Sequence, residues 1–226
     1  MNAEALSRAA ALLGREAMER LAASRVLVVG VGGVGGWCAE ALLRTGVGHL
    51  AVMDDDTVAE SNLNRQCPAT AAALGRLKVE AMRERLLSVD PGADVAALAA
   101  RFTGAEDVSG YDAVVDAIDS VDCKAALILK ASELGVPVVS SMGAALRTDP
   151  SRVRVTRFEK VAGDGLARAL RRRFRAEGRS PGRFDCVWSD EPPRHCGERG
   201  SLMQVTAAFG MCLAARVVDI LSSGSR

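Results

Sequence analysis

The sequence predicts an α/β protein, a Rossmann-like and mostly parallel sheet with helices on both faces, plus a smaller C-terminal extension. Three observations carry this. Short apolar runs alternate with helical stretches over the first 145 residues, as in a parallel sheet covered on both sides. The first run ends in the glycine-rich segment Gly30–Gly36. Beyond residue 145 the alternation gives way to Arg-Val-Arg-Val-Thr-Arg-Phe at 152–158, the polar/apolar pattern of a half-exposed strand. A length of 226 residues fits one ordinary domain, so 1–145 and 146–226 are expected to form one continuous unit.

Each element has a local reason. Residues 3–22 are rich in Ala, Leu, Arg and Glu and read as one helix. Arg25 to Gly30 is a buried strand, Gly33 to Arg44 a helix, and His49 to Met53 a second strand. Asp54 to Thr70 is a long polar loop. Residues 75–89 form a helix that Asp90-Pro91-Gly92 stops. Strands are expected at 94–100, 111–118 and 137–142, with a helix over 121–134 between the last two. Residues 163–176 suit a helix with Leu166, Leu170 and Phe174 in one stripe and arginines on other faces. A strand over 184–188 and a C-terminal helix complete the chain. The apolar stretch 202–221 is broken by Gln204, Arg216 and Asp219, which makes it a buried helix and not a membrane span.

Composition excludes several classes. Hydrophobic residues are 49% and charged residues 25%, which rules out disorder along most of the chain. The six cysteines, at 38, 67, 123, 186, 196 and 212, form no C-x-x-C pair, so a structural zinc site has no support. The N-terminus lacks the apolar core of a secretory signal. A reducing cytoplasm and no membrane partner are expected. Net charge is +1, yet residues 147–183 hold twelve basic and four acidic side chains. That concentration invites an anionic partner, with a solvated face as the alternative.

Chemistry enters at Gly30-Val-Gly32-Gly33-Val-Gly35-Gly36. This is G-x-G-x-x-G between a strand and a helix, where glycines let a phosphate approach the backbone at a helix N-terminus. Asp54, 24 residues after Gly30, closes the second strand and can bond a ribose hydroxyl pair. These features fit NAD and ATP enzymes alike. Arg65 and Lys78 separate the two, because fixed cations stabilise the charge that grows on departing pyrophosphate. Only four residues of the chain are Lys. Asp119, in Asp116-Ala-Ile-Asp119-Ser, puts a carboxylate where Mg²⁺ on the phosphates needs an oxygen ligand. Taken singly, Arg65 could be a loop ion pair, Lys78 solvated helix surface and Asp119 a helix N-cap.

Together, Val-Gly-Val-Gly-Gly-Val-Gly, Asp54-x-Asp56, Ser61-Asn-Leu-Asn-Arg-Gln66, Lys78 and Asp-Ala-Ile-Asp-Ser resemble the ThiF/MoeB/ubiquitin-activating superfamily of adenylating enzymes. Asp116-Ala-Ile-Asp-Ser-x-x-x-Lys124, the Lys160–Arg168 stretch, Cys186-Val-Trp-Ser-Asp-Glu-Pro-Pro193 and Gly200-Ser-Leu resemble its branch that dehydrates threonylcarbamoyladenosine in tRNA. The resemblance implies an ATP-binding module over 1–145 and a tRNA-facing extension over 146–226. It places Gly30, Gly32, Gly33 and Gly35 around the phosphates and Asp54 on the ribose. Asp56 joins the nucleotide set, Asn62, Arg65 and Lys78 meet the triphosphate, and Asp119 binds Mg²⁺. Arg8 matches an N-terminal arginine that reaches ATP across a homodimer interface. The apolar C-terminal helix also needs a surface to bury. Arg168, Arg171, Arg172 and Arg175 are candidates for tRNA phosphates. A monovalent cation and a sulfur-transfer protein are further candidate partners.

The alternative in the same superfamily is an adenylyltransferase for a ubiquitin-like sulfur carrier. Such enzymes usually carry two C-x-x-C zinc pairs, which this chain lacks. A nucleotide-binding scaffold and a dehydrogenase are the readings from other classes. Cys186 is the tempting nucleophile, but its strand context predicts an inert, buried thiol. His49 starts a strand and reads as structural, and His195, in a polar loop, is a candidate general base. His195-Cys-Gly-Glu-Arg199 has no counterpart in the family pattern.

Overall fold

The computed structural model describes residues 1–194 and 197–223. Strands β1 (Arg25–Val29), β2 (His49–Met53), β3 (Asp94–Leu98), β4 (Ala113–Asp116), β5 (Val138–Ser141), β6 (Val153–Arg157) and β7 (Asp185–Ser189) form one sheet. Its order is β3-β2-β1-β4-β5-β7-β6. All pairings are parallel except β6 with β7. The segment after residue 146 thus extends the same sheet through β7 and the antiparallel edge strand β6. The expected strand over 111–118 shortens to Ala113–Asp116.

Seven α-helices accompany the strands among the described residues: α1 (Ser7–Leu13), α2 (Arg15–Ala23), α3 (Gly35–Thr45), α4 (Lys78–Val89), α5 (Val121–Glu133), α6 (Gly165–Glu177) and α7 (Met203–Ser222). Alternation along β1 divides the core. Val26 and Val28 face α3, α4 and α7, with Cys38, Leu42, Met82, Phe209 and Leu213. Leu27 and Val29 face α5 and α6, with Leu127, Ile128, Leu170 and Phe174. Helices cover both faces, as the near-continuous apolar strands require.

Three expectations need correction. The single helix over 3–22 is two helices, because Gly14 takes φ 82° and ψ 162° between them, outside any helical region. In α6 the buried stripe is Ala167, Leu170 and Phe174, while Leu166 is only half-buried. Asp164 caps the helix by accepting from Ala167 N at 2.8 Å, and that start turns Ala167 inward. Last, α7 buries one face within its own chain. Val205, Phe209, Leu213, Val217 and Leu221 are buried. At Gly210 an added Cβ would lie 2.5 Å from Val34 O, so only glycine lets α7 approach α3 this closely. Its apolarity is therefore weak support for a second subunit, although Met203 and Met211 remain exposed.

Candidate nucleotide and substrate site

Strand order reverses between β1 and β4, since the chain runs outward to β3 before returning beside β1. Parallel sheets bind ligands at the carboxyl ends of their strands at such a switch point. The glycine turn sits there. Gly30 has φ +89°, and an added Cβ would meet Ala117 O at 2.6 Å. At Gly35 it would meet Gly30 O at 1.9 Å, so α3 starts directly against the end of β1. Gly32 differs: the nearest atom to an added Cβ is Gln66 Nε2 at 3.8 Å. Gly33 is closed by the Arg65 and Thr206 side chains, each 3.3 Å from that position. Gly32 is therefore the point of this turn left open to a phosphate.

Asp54 locks the turn to the following loop. Its Oδ2 accepts from Val31 N at 2.7 Å and its Oδ1 from Asp56 N at 2.9 Å. Each carboxylate oxygen keeps a lone pair for a further donor. Asn62 is buried, and its Oδ1 accepts from Ala59 N at 3.1 Å. Arg65 donates to Ser61 O and to Asn64 Oδ1, both at 2.8 Å. Trp37 Nε1 donates to Arg65 O at 3.0 Å and ties this loop to α3. Lys78 is not solvated helix surface: its side chain is 8% exposed, and Nζ donates to Asp56 Oδ2 at 2.6 Å. An ammonium has three N–H donors, so two remain. Asp119 is exposed and is not the N-cap of α5. That position belongs to Ser120, which makes no side-chain cap bond. Arg8 lies at the opposite edge. Leu6, two residues before it, packs on Gly46 beside the amino end of β2, the opposite end of the strands from the glycine turn.

Several contributors were not legible in sequence. Glu40 on α3 is buried and receives Arg85 Nε at 2.5 Å, Arg44 at 2.9 Å and the Cys67 thiol at 3.1 Å. Burial would raise the Glu40 carboxyl, but these hydrogen bonds outweigh it and hold its pKa low. Burial and then the Glu40 contact push the Cys67 thiol up to about 12. This cluster braces the loop that carries Asn62, Arg65 and Gln66 on α3. Gln66 is itself buried, with Oε1 unpartnered and its amide over Gly32.

Beneath Asp119 lies a fully buried network. Lys124 Nζ donates to Asp116 Oδ2 at 2.7 Å and to Ser141 O at 2.9 Å. Ser140 Oγ donates to the same Asp116 oxygen at 2.5 Å, and Asp116 Oδ1 accepts from Ile118 N at 3.2 Å. Lys124 thereby fixes the turn that presents Asp119 and brings Ala117 O against Gly30. Cys186 is buried and burial pushes its thiol well above the ordinary range, as the strand context predicted. His49 pairs with Asp94 at 2.7 Å at the far edge of the sheet. His195 lies outside the described residues.

Among the arginines of α6, Arg171 requires correction. It stands four residues after Ala167 and shares the inward face. Its guanidinium donates to Phe158 O at 2.8 Å and Val161 O at 2.7 Å and lies 4.8 Å from the Phe158 ring centroid. Its Nη2 is thus held by the protein, and the half-buried guanidinium is less open to phosphates than its neighbours. Arg168, Arg172 and Arg175 are exposed.

Comparison with known proteins settles the family. A ThiF family profile matches residues 6–225. The chain belongs to the ThiF family. A Bacillus subtilis relative named tRNA threonylcarbamoyladenosine dehydratase is 38% identical to this ThiF-family chain over 185 residues, 80% of this chain and 72% of that one. An Escherichia coli relative of the same name is 39% identical over 193 residues, with the same coverage. The crystal structure of E. coli tRNA N6-threonylcarbamoyladenosine dehydratase in complex with ATP superposes with a TM-score of 0.91 at 35% identity. That match covers 97% of this ThiF-family chain and 94% of the other.

Proposed function

We infer that this chain carries out the ATP-dependent dehydration of threonylcarbamoyladenosine in tRNA through an acyl-adenylate. The observation that carries the reading is the glycine turn at the switch point. There Gly32 is open and Asp54 ties the turn to the loop, the chain also carries the cations Arg65 and Lys78 and the exposed carboxylate Asp119, and relatives of this ThiF-family chain bear that enzyme's name.

The threonyl carboxylate oxygen bonds to the α-phosphorus of ATP, and the α–β phosphoanhydride breaks to release pyrophosphate. The carbamoyl group of the same nucleoside then attacks the activated carbonyl carbon. The bond to AMP breaks, AMP carries off the carboxylate oxygen, and the attacking group's proton passes to solvent. The net change in the nucleoside is loss of one water, giving the cyclic form. Gly32 leaves the phosphates room, Asp54 and Asp56 hold the ribose side, and Asn62 completes the phosphate contacts. Arg65 and Lys78 take up the negative charge growing on pyrophosphate. Mg²⁺, when bound, adds positive charge on the phosphates. Asp119 fits the role of its protein ligand, because one exposed carboxylate plus phosphate oxygens is a usual Mg²⁺ set. No covalent enzyme intermediate is needed, which agrees with the buried, hard-to-ionise Cys186.

The test is incubation of modified tRNA with ATP followed by nucleoside mass analysis. Loss of one water from the nucleoside is expected. An unchanged nucleoside, together with AMP transfer to a ubiquitin-like C-terminus, would favour the sulfur-carrier alternative.

Two finer readings accompany it. A second copy supplies Arg8, since this copy stands at the wrong edge of the sheet. Light scattering at micromolar concentration should give a dimer, and a monomer would remove Arg8 from the ATP site. Exposed Arg168, Arg172 and Arg175 on α6 contact tRNA phosphates. A triple alanine variant should bind ATP normally, while each lost contact flattens the dependence of log affinity on log salt by roughly 0.7–0.9. An unchanged slope would make α6 a solvated face. A tRNA substrate agrees with the cytoplasmic location expected from the cysteines.

A further inference from the structure

We propose that Arg147 heads an anion subsite on the substrate side of the crevice, where it takes an oxyanion of the RNA. The proposal rests on the dehydration reading above. Arg147 lies on the loop that leaves β5 at the same carboxyl edge as Gly30 and Asp119, because β5 is the parallel neighbour of β4.

The residue is 5% exposed, and its Nε is buried without a hydrogen-bond partner. Buried donors are almost always paired, so such a group calls for an explanation. The neighbouring carboxylate, Asp164 Oδ2, stands 3.7 Å from Nη2, too far for a direct hydrogen bond. Asp164 is also committed elsewhere: Oδ1 caps α6 at Ala167 N, and Oδ2 accepts from Gly143 N at 3.2 Å. It balances the charge of Arg147 without satisfying the guanidinium. A planar fork of N–H groups is left, which matches a carboxylate or phosphate.

The loop is built to hold this arrangement. Leu146 has φ +63°, the one non-glycine with positive φ among the described residues. Its N donates to Gly200 O and its O accepts from Arg194 N, both at 2.9 Å. On the other flank Glu191 accepts from Thr148 N at 3.0 Å and from Asp149 N at 2.9 Å. Local backbone strain survives only where surroundings over-determine it, and such positions cluster at ligand sites. A purely structural arginine makes bonds to the protein, as half-buried Arg171 does from Nη2 to two carbonyls, whereas buried Arg147 leaves its Nε without any.

Two oxyanions of the substrate have the right chemistry: the threonyl carboxylate and a backbone phosphate. The experiment follows the Arg147 Nε–H resonance of the full chain with an α,β-methylene analogue of ATP, which cannot release pyrophosphate, so that the modified loop keeps its carboxylate. The signal is assigned by through-bond side-chain correlation and checked by its loss in Arg147→Lys. Anticodon stem-loops with threonylcarbamoyladenosine or plain adenosine are added in turn. A shift with the modified loop alone identifies the carboxylate, and an equal shift with both identifies a phosphate. Arg147→Lys should raise KM for the modified loop roughly tenfold and leave ATP affinity unchanged, since one charge-assisted bidentate contact is lost. A resonance that neither loop moves, in protein that still dehydrates the modified loop, overturns the subsite and leaves the dehydration reading standing. Failure of that protein to dehydrate the loop, whatever the resonance does, counts against the dehydration reading itself.

Discussion

Lys78→Met lowers AMP and pyrophosphate formation on modified tRNA by roughly 10²–10³-fold, the loss typical when one fixed group opposing transition-state charge is removed. Methionine is the informative replacement, because the stem of Lys78 is buried and only its charge should be deleted. The partner Asp56 is 61% exposed, so it stays solvated when the ammonium goes. An ion pair with a water-exposed partner contributes about 0–1 kcal/mol, and the melting temperature should move by a few degrees at most. Kinetics and melting thus separate the roles. If turnover holds near wild type in a stable variant, Lys78 serves only to anchor Asp56. Asp119→Ala should give a similar loss with even less effect on the fold, since Asp119 is exposed.

The largest expected effect on stability is at Lys124. Both Lys124 and Asp116 are fully buried, with 0% side-chain exposure. Removing one member of a buried pair strands the other charge, at a cost of about 3–5 kcal/mol. For a domain of this size that is a drop in Tm of roughly 6–20 °C for Lys124→Met. The double variant Asp116→Asn/Lys124→Met should recover much of the loss. An asparagine at 116 can still accept from Ile118 N through its one oxygen, its NH2 takes the place of the other oxygen and donates to Ser140 Oγ, and no buried charge is left. Denaturant titration of the three proteins measures this. If the double variant is no more stable than Lys124→Met, the cost comes from lost packing and not from the stranded carboxylate. Because the same network sets the turn bearing Asp119, Lys124→Met should also weaken turnover at temperatures where it remains folded.

What could be read locally was read from sequence. The alternation of apolar runs and helices, the glycines between β1 and α3, and the order Asp54, Arg65, Lys78, Asp119 are one-dimensional signals. Period, turn chemistry and residue type along the chain determine them, so they were enough for an α/β sheet and a nucleotide edge. The tertiary structure decided everything that depends on what packs opposite. Arg171 looks like its neighbours in sequence, yet the start of α6 at Asp164 turns it onto Phe158. Lys124 was visible as a motif residue, but its complete burial follows from β4 and β5 closing over it. The apolar α7 lies on α3 and the sheet because Gly210 has no side chain. Arg147 was one arginine in a basic stretch, and only the loop fixed by Asp164, Glu191 and Gly200 gives it a buried Nε donor without an acceptor. Burial of a charge depends on distant parts of the chain meeting in space, and the local pattern carries no record of which ones meet.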